Sequence, residues 1–421
     1  MIHKTTFKLL VRNLSKKTLA IFIKISLRAI EIFPRLGILR PLLSSFQNLL
    51  LKQKRRLNSH SCPNKVPNFE PDQLASLKII EITSFSQAGK TRGIGNYLGR
   101  LFSEVNNSLL KSVVFIVFEN HNNSMKPPRY FLERDIYYID SECNSCLALI
   151  QYLSKSTKRI TFTSYFHENV TPKYCSGLIK AIPESNVIVY DLIPKENFLN
   201  FSSISHMKRY FAKYRLLKTT NLYAISESTK SELEAGGFHV KGILKYNLIK
   251  AKTVSGKKEK TLLIFGSMSP RKNVLRTVIA WDAVQRDFPE HKLTLIGHYS
   301  NAAKYIILKI LKSDANSVCF TGEISDLEIH HLFQSTDLLI APSTFEGLGL
   351  PLIKAIETGT PVICADILAY RELVTNKESF FNPFSVKEIS RKIQSAMNFP
   401  DEYIIKEESV EIGTIEFSKV V

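Results

Sequence analysis

The chain lacks any uncharged apolar stretch near the ~20 residues that a membrane-spanning helix requires. In its first sixty residues Lys17 and Lys24 bracket only TLAIFI, so a spanning helix is not expected there. A cleaved secretory leader also fits poorly, because the apolar stretch is short and interrupted and no A-x-A-like site follows. Cysteine is sparse and unorganised. Cys62, Cys143, Cys146, Cys175, Cys319 and Cys364 form no framework, which favours a reducing compartment. Cys143 and Cys146 make one CxxC with no second Cys or His pair nearby, which is too little for a metal or redox site.

Acid is nearly missing from the N-terminal end. Residues 1–60 carry a net +12 of the chain's +19, with Glu31 as their single acid. Read as a helix at 100° per residue, Lys17, Lys24, Arg28, Glu31 and Arg35 fall within about 60° of one another. Leu19, Ile23, Leu27 and Ile30 cover another face, widened by Phe22 and Ile25, and Pro34 ends or bends the helix. A second apolar stretch, FQNLLLKQKRR, closes on a basic cluster. A basic stripe on a wide apolar helix suits an anionic membrane surface, each nearby Lys or Arg adding ~1 kcal/mol. The alternative is a helix packed on the protein's own body with its basic side solvated. Nucleic acid also attracts such charge, but aromatic interleaving and a known module are missing, so no nucleic-acid partner is expected.

A length of 421 residues suits two domains. From residue 77 short β-rich runs alternate with helical ones. LKIIEITSF, VVFIVFEN, IYYID, RITFTSY and NVIVYDLIP form a first set, which LYAISESTKSELEAGG ends. IKAKTVSGKKEK (249–260) reads as a linker. TLLIFGS, KLTLIG, SVCFTG, DLLIAPS, PVICAD and SFFNPF then alternate with six helix-like runs: NVLRTVIAWDAVQRDF, AAKYIILKILKSDA, DLEIHHLFQST, PLIKAIETG, LAYRELVT and VKEISRKIQSAMN. This alternation predicts parallel sheets covered on both faces. The expected organisation is a basic segment at 1–60, a Rossmann-like acceptor-side domain at 75–248 and a Rossmann-like donor domain at 261–421. In such sheets ligands bind outside the carboxyl ends of strands.

Three loops lie there. In GKTRGIGNY, Gly93 and Gly95 sit between a strand and a helix, where bare backbone can approach an anion or sugar; a tight turn explains them equally well. In GSMSPRKN, Ser267 follows strand-ending Gly266, and Arg271 and Lys272 stand at a helix start. Two cations there suit a diphosphate, and a solvated basic loop is the alternative. In STFEGLGLPLIKA, Glu346 precedes a glycine-rich helix start with Pro351 in the first turn. Its carboxylate suits sugar hydroxyls, or is a surface acid near a helix start.

The stretch TGEISDLEIHHLFQSTDLLIAPSTFEGLGLPLIKAIETGTPVICAD resembles the donor-binding region of family 4 retaining glycosyltransferases, which have the GT-B fold. RGIGNY, YDLIP, AISESTKSEL, FGSMSPRKN and FFNP recur in the family's order, so the resemblance covers roughly residues 77–395. It implies two Rossmann-like domains facing a cleft and transfer of a hexose from a nucleotide-sugar with retained configuration. Lys272 and Arg271 would neutralise the leaving diphosphate, and Glu346 would hold hydroxyls of the sugar. Gly347, Leu348 and Gly349 would offer N–H groups, and Gly93 and Gly95 would close on the donor from the other domain. No Asp-x-Asp motif is present, so neither a metal nor another cofactor is expected. Tyr190, Asp191 and His167 are acceptor-side candidates.

The chain departs from the family pattern at Lys354, where a second glutamate is common, and at Tyr190, often histidine. It also stops soon after IEFSKVV, where relatives continue through a helix crossing back to the first domain. The expectation is therefore a cytoplasmic, peripherally membrane-bound glycosyltransferase of the mannosyltransferase-like branch, acting on a glycan or lipid-linked acceptor. The rival is a catalytically weak homologue that binds nucleotide-sugar or scaffolds a partner enzyme.

Overall fold

The computed structural model describes residues 78–83, 93–106, 113–118, 136–139, 157–166, 170, 172–193, 204–249, 259–406 and 410–421. The basic segment at 1–60, the start of the GKTRGIGNY loop, His167 and the CxxC lie outside the described residues.

The first sheet holds β1 (Lys78–Glu81), β2 (Val113–Phe118), β3 (Ile136–Ile139), β4 (Arg159–Phe162), β5 (Glu184–Val189), β6 (Asn221–Ala224) and β7 (Val240–Ile243). Their order is β3-β2-β1-β4-β5-β6-β7, every neighbouring pair parallel. Helices α1 (Gly93–Ser103), α2 (Pro172–Ala181), α3 (Ile204–Leu216) and α4 (Glu227–Ala235) accompany it. The strands are apolar because both faces are covered; all six residues of β2, VVFIVF, are buried.

The second sheet holds β8 (Thr261–Phe265), β9 (Lys292–Ile296), β10 (Val318–Gly322), β11 (Leu338–Ala341), β12 (Val362–Ala365) and β13 (Phe380–Phe381), in the order β10-β9-β8-β11-β12-β13. It too is parallel. Its helices are α5 (Val274–Val284), α6 (Asn301–Ile310), α7 (Asp326–Ser335), α8 (Leu350–Thr358), α9 (Leu368–Arg371) and α10 (Val386–Asn398). Strand order reverses between β8 and β11, so the crevice for a ligand opens at the loops that follow these two strands.

The two halves share apolar packing. Ile80, Tyr97 and Ile225 of the first belong to one buried cluster with Leu348 and Tyr370 of the second. No helix among the described residues is long and apolar enough to cross a membrane.

Several elements differ from the sequence reading. The run NVIVYDLIP is strand only as far as Val189, so Tyr190 and Asp191 leave the sheet at its carboxyl end. LAYRELVT is helical only over Leu368–Arg371. Strands β6 and β7 and helix α3 were not separately anticipated; the strands have four residues each, too few to show a period.

The C-terminal stretch 410–421, read as part of the second domain, lies on the first. Lys245 N–H donates to Ile415 O at 2.8 Å, and Tyr246 N–H to Ile412 O at 3.0 Å. The stretch ends in α11 (Phe417–Val420), with Phe417 edge-on to Phe102 at 5.0 Å. The Val420 carbonyl accepts from Thr161 Oγ1 at 2.7 Å and Asn186 Nδ2 at 2.8 Å. The return to the first domain that the sequence seemed to lack is therefore made by these residues.

Candidate functional site

The loop after β8 is shaped by two backbone requirements. Gly297 faces it with a φ of 132°, and a Cβ there would lie 2.3 Å from the Gly266 carbonyl oxygen, so only glycine fits. Residues Pro270–Lys272 form a 3₁₀ turn that ends on Asn273 in the left-handed region, φ 53°. Asn273 is buried, and its amide donates to Pro383 O at 2.6 Å, which holds that conformation. The turn projects Arg271 and Lys272 toward the loop after β11. That loop is tied back in turn, with Thr344 N–H donating to Arg271 O at 2.7 Å.

Glu346 receives both cations on the same oxygen. Lys272 Nζ lies 2.5 Å from Oε1 and Arg271 Nη1 3.0 Å from it. Arg271 Nη1 also reaches Phe345 O at 3.3 Å. The Glu346 side chain is 13% exposed. Burial alone pushes its carboxyl upward, but Lys272, then Arg271, and hydrogen bonds from Lys272 and Ser343 outweigh this and hold it below the ordinary range.

Gly347 closes the loop against the first domain. A Cβ on it would stand 2.1 Å from Tyr190 O and 3.2 Å from Asp191 Cβ, so the chains touch with no room for a side chain. Asp191 thus sits at the same seam, its carboxyl raised mainly by burial, with Ile193 N–H donating to Oδ1 at 3.1 Å. Gly349, φ 98°, is the N-cap of α8 and presents no capping side chain. Gly347, Leu348 and Gly349 are buried, and their N–H groups have no acceptor among the described residues. Two cations beside three uncapped amides suit a phosphate, and a carboxylate between them suits a hydroxyl-bearing ligand.

Lys354 lies in the first part of α8, 3.6 Å from Glu357, as its helical spacing predicts. Glu357 is not a surface partner, however. It is 7% exposed, and its other oxygen accepts from Arg100 Nη2 at 3.2 Å and Ile249 N–H at 3.0 Å. Arg100 belongs to α1, so this carboxylate joins the two domains.

Arg271, Lys272, Glu346, Gly347, Leu348 and Gly349 therefore form one locus with Tyr190 and Asp191. Ser267 is half-buried on the same turn, its hydroxyl 3.4 Å from Ser269 N. Gly93 and Gly95 occupy the first turn of α1, and no contact between described residues joins them to the Glu346 loop. Sequence reasoning missed Asn273, Arg100, Ser226 and Glu372. Only Ser226 had a local signal, as the residue opening the ESTKSEL helix. No group of three or more His, Cys, Asp or Glu suited to a metal ion occurs among the described residues.

Residues 246–408, which carry all of the second-domain site loops, match the family described as glycosyl transferases group 1. O-antigen chain mannosyltransferase B of Escherichia coli is 23% identical over 137 residues, 32% of this chain and 36% of that protein. O-antigen chain mannosyltransferase RfbU of Salmonella typhimurium is 29% identical over 161 residues, 37% of this chain and 44% of that protein. The chain thus matches less than half the length of these relatives. Among solved structures, Anabaena HepE in complex with UDP and glucose superposes with a TM-score of 0.57 at 14% identity, covering 78% of this chain and 91% of that one. WaaG, a glycosyltransferase involved in lipopolysaccharide biosynthesis, superposes at 0.54 with 16% identity, covering 79% and 93%. At these identities the likeness concerns the fold, which is GT-B.

Proposed function

We propose that this chain is a retaining glycosyltransferase of the family 4 type. It moves a hexose, mannose being the first candidate, from a nucleotide-sugar to a glycan or lipid-linked acceptor in surface polysaccharide synthesis. The observation that carries this reading is the convergence of Lys272 and Arg271 on one oxygen of Glu346, beside the uncapped start of α8. The group 1 match and the names of the mannosyltransferase relatives support it. The bond from the anomeric carbon to the diphosphate oxygen breaks as one to an acceptor hydroxyl forms. Charge then grows on the diphosphate, and Lys272 and Arg271 are placed to meet it. Glu346 accepts hydrogen bonds from hydroxyls of the transferred sugar, and the amides of Gly347–Gly349 face the donor. Asp191, with Tyr190 beside it, faces the acceptor. The two cations take the part a divalent ion plays elsewhere, so no metal is required.

The test is turnover of the full chain with a panel of UDP- and GDP-hexoses and a membrane lipid extract as acceptor. Transfer with retained anomeric configuration, undiminished by EDTA, is expected. Nucleotide binding without turnover of any donor would replace this reading with that of an inactive homologue, and a strict need for a divalent ion would remove the metal-free mechanism.

The basic segment at 1–60 places the enzyme on the cytoplasmic face of the membrane. Co-sedimentation with anionic vesicles is expected to weaken with salt and to be lost on deleting 1–60. Unchanged sedimentation of the deletion overturns the assignment.

A further inference from the structure

The carbonyl of Gly347 does not point toward the donor side. It is turned into the first domain, where the Ser226 hydroxyl donates to it in a short hydrogen bond and Thr229 Oγ1 stands 3.5 Å away. Thr229 Oγ1 also donates to Tyr190 O at 3.0 Å, the oxygen against which Gly347 is packed. Ser226 is fully buried and has a second task as the N-cap of α4, accepting from Thr229 N–H at 3.0 Å. The next two N–H groups of α4, those of Glu227 and Ser228, donate to Glu372 at 2.8 and 2.6 Å. Glu372 belongs to the second domain, just beyond α9. The start of α4 is thus completed by one domain and grips the site loop of the other.

A peptide unit is planar, so the carbonyl of Gly347 and the N–H of Leu348 point in opposite directions. Fixing the carbonyl in the seam turns the Leu348 N–H away from the first domain, toward the open start of α8. With no side chain on Gly347, its neighbours hold the peptide only through packing and these hydroxyls. We propose that Ser226, assisted by Thr229 and Glu372, is a positioning residue. It aims the Gly347–Gly349 amides, so that the donor grip is formed correctly only while the two domains are aligned. This deepens the glycosyltransferase reading and rests on it for the identity of the ligand.

Ser226→Gly is the informative change, since glycine at an N-cap costs the helix only a few tenths of a kcal/mol relative to serine while removing the donor to Gly347. Two measurements on the full chain decide the matter. Hydrogen exchange of the peptide covering 345–352 is expected to quicken about five- to tenfold, the scale of one net hydrogen bond, with the thermal midpoint nearly unchanged. Turnover of whichever hexose the UDP- and GDP-hexose panel identifies is expected to fall about tenfold in kcat, with the acceptor KM unchanged. Ser226→Thr, which keeps the hydroxyl, should restore both. A purely structural role would instead lower the thermal midpoint and leave kcat per folded molecule intact. Wild-type exchange in Ser226→Gly overturns the proposal whether or not a donor is found. Absence of wild-type turnover with every hexose tested counts against the glycosyltransferase reading instead.

Discussion

Glu346 and Asp191 meet at Gly347, one from each domain, and both feel Lys272, Arg271 and burial. The outcomes are opposite. Glu346 is held below the ordinary carboxylate range, whereas Asp191 is pushed above it. Burial acts first on each. What differs is direct contact: Glu346 touches both cations within 3.0 Å, and Asp191 receives one backbone N–H and only the distant field of the same pair. Two acids in one seam are thereby prepared for different work, Glu346 as a charged acceptor and Asp191 as a group that protonates more easily.

The strongest way to break this contrast is to remove its donor-side partners. Lys272→Ala and Glu346→Ala are each expected to lower turnover by at least ~100-fold, the scale of losing one transition-state donor. The glutamate value is bounded less tightly because its part includes orientation of the sugar. Steady-state kcat with the preferred donor checks both, and activity near wild type in Lys272→Ala would remove the lysine from the mechanism.

A smaller effect is expected at Lys354. If its amine meets the nucleotide, Lys354→Ala weakens donor binding about tenfold, as for a charge-assisted hydrogen bond, read by titration calorimetry. A neutral alanine together with tighter binding by Lys354→Glu would mark a degenerate ribose site. The structure bears on that second variant, because a glutamate at 354 would sit beside nearly buried Glu357, whose other oxygen Arg100 already holds.

The smallest effect concerns pH. Glu346 has a lowered folded value, so its pairing contributes stability above about pH 4.5 that is lost as pH falls through that lowered value. Asp191 has a raised folded value, so stability declines as pH climbs from about 3.8 through it. Asp191→Asn should accordingly raise the thermal midpoint at pH 7 and bring no gain below pH 3.8, while Glu346→Gln should lower it at pH 7. Each shift is expected on the order of 1 kcal/mol. Equal and parallel pH profiles for the two variants would contradict the assignment of opposite environments.

Much of this site was legible because its parts are local. Arg271 and Lys272 follow a strand, Glu346 follows another, and the Lys354–Glu357 pair is a matter of helical spacing. The strand-then-loop pattern placed all of them at the carboxyl end of a sheet before any geometry was known. The seam was not legible. Ser226 and Gly347 are 121 residues apart, Arg100 and Glu357 are 257 apart, and neither pair leaves a periodic trace in the chain. Glu372 reads locally as a polar residue after a short helix, and only the fold shows it finishing a helix of the other domain. The tail was misjudged for a related reason. Its bonds run largely through the Val420, Ile412 and Ile415 carbonyls, which no side-chain pattern reports.

That tail also sets a timetable for biosynthesis. The Asn186 side chain takes its partner from Val420, 234 residues later. At ~5–20 residues per second, the ribosome needs roughly 12 to 47 seconds to cover that interval. During it the first sheet exists without the segment that covers Leu244 and meets Phe102, and the second domain is synthesised meanwhile. The first domain to appear is thus the last to be completed, and a nascent chain held short of residue 410 should expose an apolar edge that chaperones recognise.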